Sequence, residues 1–93
     1  MFLENDNHLL FQTVRERVIF RKFKGGEIIA LFPNDIANSN GDCNSYMHLG
    51  QHSPADYNAV IKATKPATQE EYADLYNELK SLGYEYLNVR KRR

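Results

Sequence analysis

The sequence predicts one α+β domain, a small two-layer fold in which an antiparallel, hairpin-based sheet of about four strands carries one main α-helix. Three observations support this. Arg17 to Pro33 (RVIFRKFKGGEIIALFP) holds two β-rich runs joined by Gly25-Gly26. Thr68 to Gly83 holds an amphipathic helix with a start and a stop signal. Tyr84 to Arg90 (YEYLNVR) returns to the two-residue alternation of a strand. A chain of 93 residues builds a modest core, and one helix across one face of a sheet buries these elements efficiently. The expected order is β-β-β, a short helix or strand, then α-β, over residues 1–93.

Within residues 1–13, Leu9, Leu10 and Phe11 form a short apolar run, read as an edge strand or a loosely attached arm behind the polar Glu4-Asn5-Asp6-Asn7 turn. The first strand is expected from Arg15 to Phe23, because Val18, Ile19, Phe20 and Phe23 suit a pleated surface. Arg15, Arg17, Arg21 and Lys22 are interleaved with them, which predicts a face or edge meeting water. Gly25 and Gly26 reach the positive φ that a tight hairpin needs. A two-residue turn would set Lys24 opposite Glu27 as an ion pair. The second strand, Glu27 to Phe32, is almost continuously apolar, as for a strand covered on both faces, and Pro33 ends it.

Asn34 to Asn44 (NDIANSNGDCN) is a turn-rich surface loop. Cys43 to Leu49 alternates with period two and predicts a third strand, stopped by Gly50. In the next stretch Ser53 resembles an N-cap and Pro54 a first-turn residue, whereas Val60, Ile61 and Thr64 are β-branched. A single helical turn followed by a short strand at Ala59 to Ala63 is expected. Thr68 and Glu71 form a capping box, Tyr72, Leu75, Tyr76, Leu79 and Leu82 form an apolar stripe, and Gly83 supplies the left-handed stop. The terminal Arg90 to Arg93 is read as a frayed basic tail.

Composition excludes some functions. No apolar run approaches the roughly 20 residues of a membrane-spanning helix. The N-terminus carries acids where a signal peptide carries bases, and the single Cys43 suits a reducing compartment, so a cytoplasmic location is expected. Formal net charge is zero, and bulk electrostatics select no partner.

Three clusters hold side chains capable of chemistry. Cys43, His48, His52 and Asp56 are metal-ligand types at short spacing, with Asp42 as a substitute fourth ligand. They lack the paired spacing of known zinc sites, so no metal or other cofactor is assigned. Cys43 with an imidazole base would make a thiolate nucleophile, but regular strand alternation turns Cys43 and His48 to opposite faces, and no catalytic residue is assigned. Arg15, Arg17 and Arg21 share strand parity; with Lys22, Phe23, Arg90, Lys91 and Arg92 they form a candidate nucleic-acid surface of phosphate contacts and one stacking ring. Basic residues on an exposed sheet face serve solubility equally well. Tyr46, His48, Gln51 and His52 are candidate partner-binding residues beside the long loop.

The segments VIFRKFKGGEIIALFP, CNSYMHLGQHSPADY and KPATQEEYADLYNEL resemble a group of small uncharacterised bacterial proteins, some of them on phages or mobile elements, over about Arg17 to Leu87. The resemblance implies a compact accessory protein and brings no activity, cofactor or catalytic residue with it. A non-catalytic protein is therefore expected, monomeric or weakly dimeric, that binds a protein partner. Nucleic-acid binding is the alternative, and a metal-dependent or cysteine enzyme around Cys43, His48 and His52 is the third reading.

Overall fold

The hairpin at Gly25-Gly26 sets the register of the sheet. The computed structural model describes residues 16–48 and 51–92; the N-terminal arm, Arg15, the Gly50 stop and Arg93 lie outside them. In chain order the elements are β1 (Glu16–Phe23), β2 (Ile28–Ile36), β3 (Cys43–Met47), β4 (Gln51–Ala55), α1 (Tyr57–Ala63), β5 (Thr64–Pro66), α2 (Gln69–Ser81) and β6 (Leu87–Arg90). Phe23 N–H donates to Glu27 C=O at 2.9 Å, and Gly26 N–H donates to Phe23 C=O at 2.9 Å. The loop is thus Lys24-Gly25-Gly26, with φ +99° at Gly26. A three-residue loop of this kind places its last residue in the left-handed region, which glycine adopts without strain. Phe23, and not Lys24, therefore faces Glu27.

The α+β class and the antiparallel hairpin sheet are as the sequence predicts, but the sheet is larger and both its faces are covered. Among the described residues six strands follow the order β4-β3-β2-β1-β5, with β6 beside β1. β6 runs parallel to β1, pairing Glu16 with Leu87 and Ile19 with Arg90, whereas β5 pairs antiparallel with Arg21 to Phe23. β5 and β6 thus share one flank of β1, and β2 takes the other. Among the described residues β1 is an interior strand, paired on both flanks.

Side-chain alternation on β1 and β2 feeds two cores. Val18, Phe20, Ala30 and Phe32 pack with Tyr46, Leu75, Leu79 and Leu87 under α2. Ile19, Ile29, Leu31 and Cys43 pack on the opposite face with Tyr57, Val60 and Ile61 of α1. The second helix makes three layers where two were expected. Phe20 stacks on Tyr72 at 4.3 Å between ring centroids and meets Tyr76 edge-on at 6.4 Å.

Local departures have identifiable causes. β2 continues past Pro33 because its register against β3 shifts between Phe32 and Ile36, and a bulge accommodates a residue that cannot donate to the ladder. Residues 51–55 form an outer strand, in which Pro54 is tolerated at the sheet edge. The N-cap is Asp56, whose carboxylate accepts from Ala59 N–H at 3.3 Å; Ser53 is not the cap, and 57–63 is helix where a strand was expected. The β-branched residues of α1 are tolerated because Val60 and Ile61 bury one side of it against the sheet. The last strand is shorter than expected and begins at Leu87.

α2 starts as the sequence predicts. Thr68 Oγ1 accepts from Glu71 N–H at 3.2 Å, and Glu71 Oε1 accepts from Thr68 N–H at 2.9 Å. Gly83 takes φ +113° just past the helix. Leu82, however, lies at the C-cap and is 52% exposed, while Leu79 is fully buried. Leu79→Ala is expected to cost about 2–5 kcal/mol in urea denaturation, and Leu82→Ala less than about 0.5 kcal/mol. Equal losses at the two positions would contradict this packing.

Candidate functional site

On the α2 side of the sheet, polar side chains from five elements form a row across the β3–β4 end. Tyr46 is buried, and its hydroxyl donates to Glu78 Oε2 on α2. The other carboxylate oxygen, Oε1, lies 2.5 Å from His48 Nδ1. A carboxylate only accepts, so Nδ1 carries the proton of this bond. The His48 side chain is 73% exposed, which leaves the rest of the ring to solvent.

His52 continues the row from β4. Its register partner is Tyr46, and the two rings meet edge-on at 4.6 Å. His52 Nε2 reaches the Tyr84 hydroxyl at 3.1 Å, and the Tyr84 ring stacks on Phe32 at 5.2 Å. Beyond Tyr84 come the carboxyls of Glu16 and Asp35. Burial, with Asp35 nearby, pushes the Glu16 carboxyl above its usual range. Burial, with Asp35 and Glu16 adding negative charge, pushes the Tyr84 phenol up as well.

The partner-binding residues predicted from sequence are brought together in part. Tyr46, His48 and His52 share this face. Gln51 is exposed on β4 and faces the α1 side by strand alternation. Glu78 and Tyr84 are not among the sequence candidates: Tyr84 opens the expected last strand, and nothing local distinguishes Glu78 from the other acids of the helix. Only tertiary contacts reveal them: Glu78 reaches Tyr46 and His48 from α2, and Tyr84 meets His52 and Phe32.

The metal or thiolate cluster does not converge. Cys43 is fully buried in the α1-side core, away from His48 and His52, and Asp56 is used as the α1 cap. Asp42 accepts from Asn38 Nδ2 at 3.1 Å within its own loop. Among the described residues no group of three or more His, Cys, Asp or Glu side chains is placed to hold a metal ion.

The basic surface is largely taken up by the fold. Arg21 is 8% exposed. Its guanidinium donates from Nε to Thr64 Oγ1 at 2.9 Å, and from Nη2 to the carbonyls of Ile61 at 3.0 Å and Thr64 at 2.8 Å. It closes the C-terminus of α1, where carbonyls lack helical partners and a cation is favoured. Lys22 pairs with Glu71, and this bond holds the Glu71 carboxyl below its usual range. Phe23 packs against the α1-side core. Arg17, Arg90, Lys91 and Arg92 are exposed.

Two outcomes test this geometry. Asp35→Asn should lower the pKa values of both Glu16 and Tyr84, read by carboxyl NMR and by phenolate absorbance. A raised phenol favours the neutral form in the folded state, so the pH-dependent stability from Tyr84 is complete below the free-tyrosine range and falls as pH rises through the folded pKa. Arg21→Met should cost about 1–3 kcal/mol in urea denaturation, because it leaves Ile61 and Thr64 carbonyls without their donor. A neutral result would mean the guanidinium is dispensable.

Comparisons with protein families, with curated proteins and with solved structures give no match.

Proposed function

We propose that this is a small non-catalytic accessory protein that acts by binding another protein. The observation behind this reading is the row Glu78, His48, Tyr46, His52 and Tyr84, in which one half-buried carboxylate orients two aromatic hydrogen-bonding groups beside the exposed outer strand β4. Tyrosine and histidine rings combine apolar area with a hydrogen-bonding tip and lose little conformational freedom on contact, a composition favoured at protein interfaces. Their pre-organisation by Glu78 and Phe32 reduces the entropy lost on binding. A cytoplasmic setting accords with one cysteine kept as a core thiol. The resemblance to bacterial, phage or mobile-element proteins belongs to the same reading. Among the described residues no helix is long and apolar enough to cross a membrane.

Nucleic-acid binding is a second reading, supported by one observation. Arg17 and Arg90 lie on adjacent parallel strands with side chains on the same face, next to Lys91 and Arg92. Such a site would be sequence-tolerant and strongly salt-dependent.

A photo-crosslinking residue at position 54, exposed on the His52 face of β4, compared with one at position 62 on α1, separates the readings in cells. A discrete protein adduct at 54, absent at 62 and lost with His52→Ala, is the expected result. Adducts of equal yield at both positions would count against the β3–β4 surface. Single-stranded oligonucleotide binding lost in Arg17→Ala/Arg90→Ala and in high salt would favour the second reading.

A further inference from the structure

The sheet edge farthest from β4 carries a second binding feature. A groove of about 390 Å³ runs between α2 and β6, lined by Gln69, Tyr72, Ala73, Tyr76 and Asn77 of the helix and by Val89 of the strand. The helical residues fall at i, i+3, i+4, i+7 and i+8, one continuous strip beside the Leu75 and Leu79 strip that enters the core. The lining combines the rings of Tyr72 and Tyr76 and the small apolar Ala73 and Val89 with the amides of Gln69 and Asn77.

β6 offers main-chain partners along this groove. Among the described residues it pairs only with β1. Glu16 N–H donates to Tyr86 C=O at 2.8 Å, so the Tyr86 carbonyl points toward β1. Successive peptide groups of a strand alternate in direction, so the N–H and C=O of Val89 point away from β1, along the flank that no described strand covers. A strand edge beside a helix, with a side-chain pocket between them, is the geometry in which extended peptides add to a sheet.

Charge around the groove selects the kind of peptide. Among the described residues no carboxylate lines it. Arg90 ends β6 with its side chain on the α1 face, Lys91 and Arg92 follow it, and all three are exposed beside the strand to be added. Lys80 Nζ sits 6.0 Å from the Tyr76 ring centroid. Cations thus stand at the end of the strand and above an aromatic wall.

We infer that the α2–β6 groove docks an extended acidic segment of a partner protein, which adds to β6 as a further strand and seats an apolar side chain against Tyr72, Tyr76 and Val89. This site lies at the opposite edge of the sheet from the β3–β4 surface and stands independently of it.

The test is an amide NMR titration of the full chain with a capped eight-residue peptide of alternating glutamate and valine. Two control peptides are used, one with lysine for glutamate and one N-methylated at alternate peptide nitrogens. Shifts at Ala73, Asn77, Val89 and Arg90 are expected, with each control roughly tenfold weaker because it reverses the charge match or removes main-chain donors. Ala73→Gln fills the groove with a residue that suits a helix and should weaken binding while keeping the dispersed spectrum. Should that variant not fold, Arg90→Glu/Lys91→Glu supplies the same loss from exposed positions. Absence of shifts at millimolar peptide, equal binding of the lysine peptide, or shifts confined to Tyr46–His52 would overturn the inference. So would nuclear Overhauser contacts, in the peptide-free protein, from the Val89 amide to residues 1–15 or to a second copy, since the edge would then be occupied by the chain itself.

Discussion

Strand β1 is hydrogen-bonded along both flanks, and the order of the molecule follows from that constraint. One flank is filled by β2 through a short local loop. The other is divided between β6, parallel at the start of the strand, and β5, antiparallel at its end. An interior strand has to be apolar on both faces to bury them, and Val18-Ile19-Phe20 supplies side chains to each core in turn. The chain between β1 and its late partners must then pass over both faces. α1 takes one and α2 the other.

The cost of this arrangement falls on Arg21, whose parity points it into the smaller core. Burying a guanidinium without partners would be severely unfavourable. The fold resolves this by ending α1 directly above it, so that two carbonyls and one hydroxyl receive its donors. A charged residue in the middle of the sheet therefore fixes where a seven-residue helix stops. The same logic operates at Glu78 on the other face, where one carboxylate accepts from a buried tyrosine and an exposed histidine.

Local signals in the sequence were reliable where the chemistry is local. The capping box at Thr68 and Glu71, the glycine stop at Gly83 and the hairpin at Gly25-Gly26 all depend on neighbours a few residues away, and the doubly covered second strand shows locally as an unbroken apolar run. What escaped depends on distant partners. The helical state of Val60 and Ile61 is decided by the sheet beneath them, and the continuation of β2 through Pro33 by a bulge against β3. The parallel partner of β1 arrives some seventy positions later in the chain. Arginines at strand spacing look alike whether they face water or a helix end, so Arg17 and Arg21 could not be told apart by pattern. Tyr46, His48 and His52 were visible as unusual residues; the carboxylate and phenol that organise them were not.

Cys43 gives the molecule a built-in clock. It is the chain's one cysteine and lies fully buried beneath the short helix α1, among Ile19, Ile29 and Leu31. A thiol reagent can reach it only when that layer lifts from the sheet, so the rate of its modification measures how often the smaller core opens. The larger core under α2 contains no such group. Labelling thus separates partial opening of one layer from unfolding of the whole, without a foreign probe in the chain.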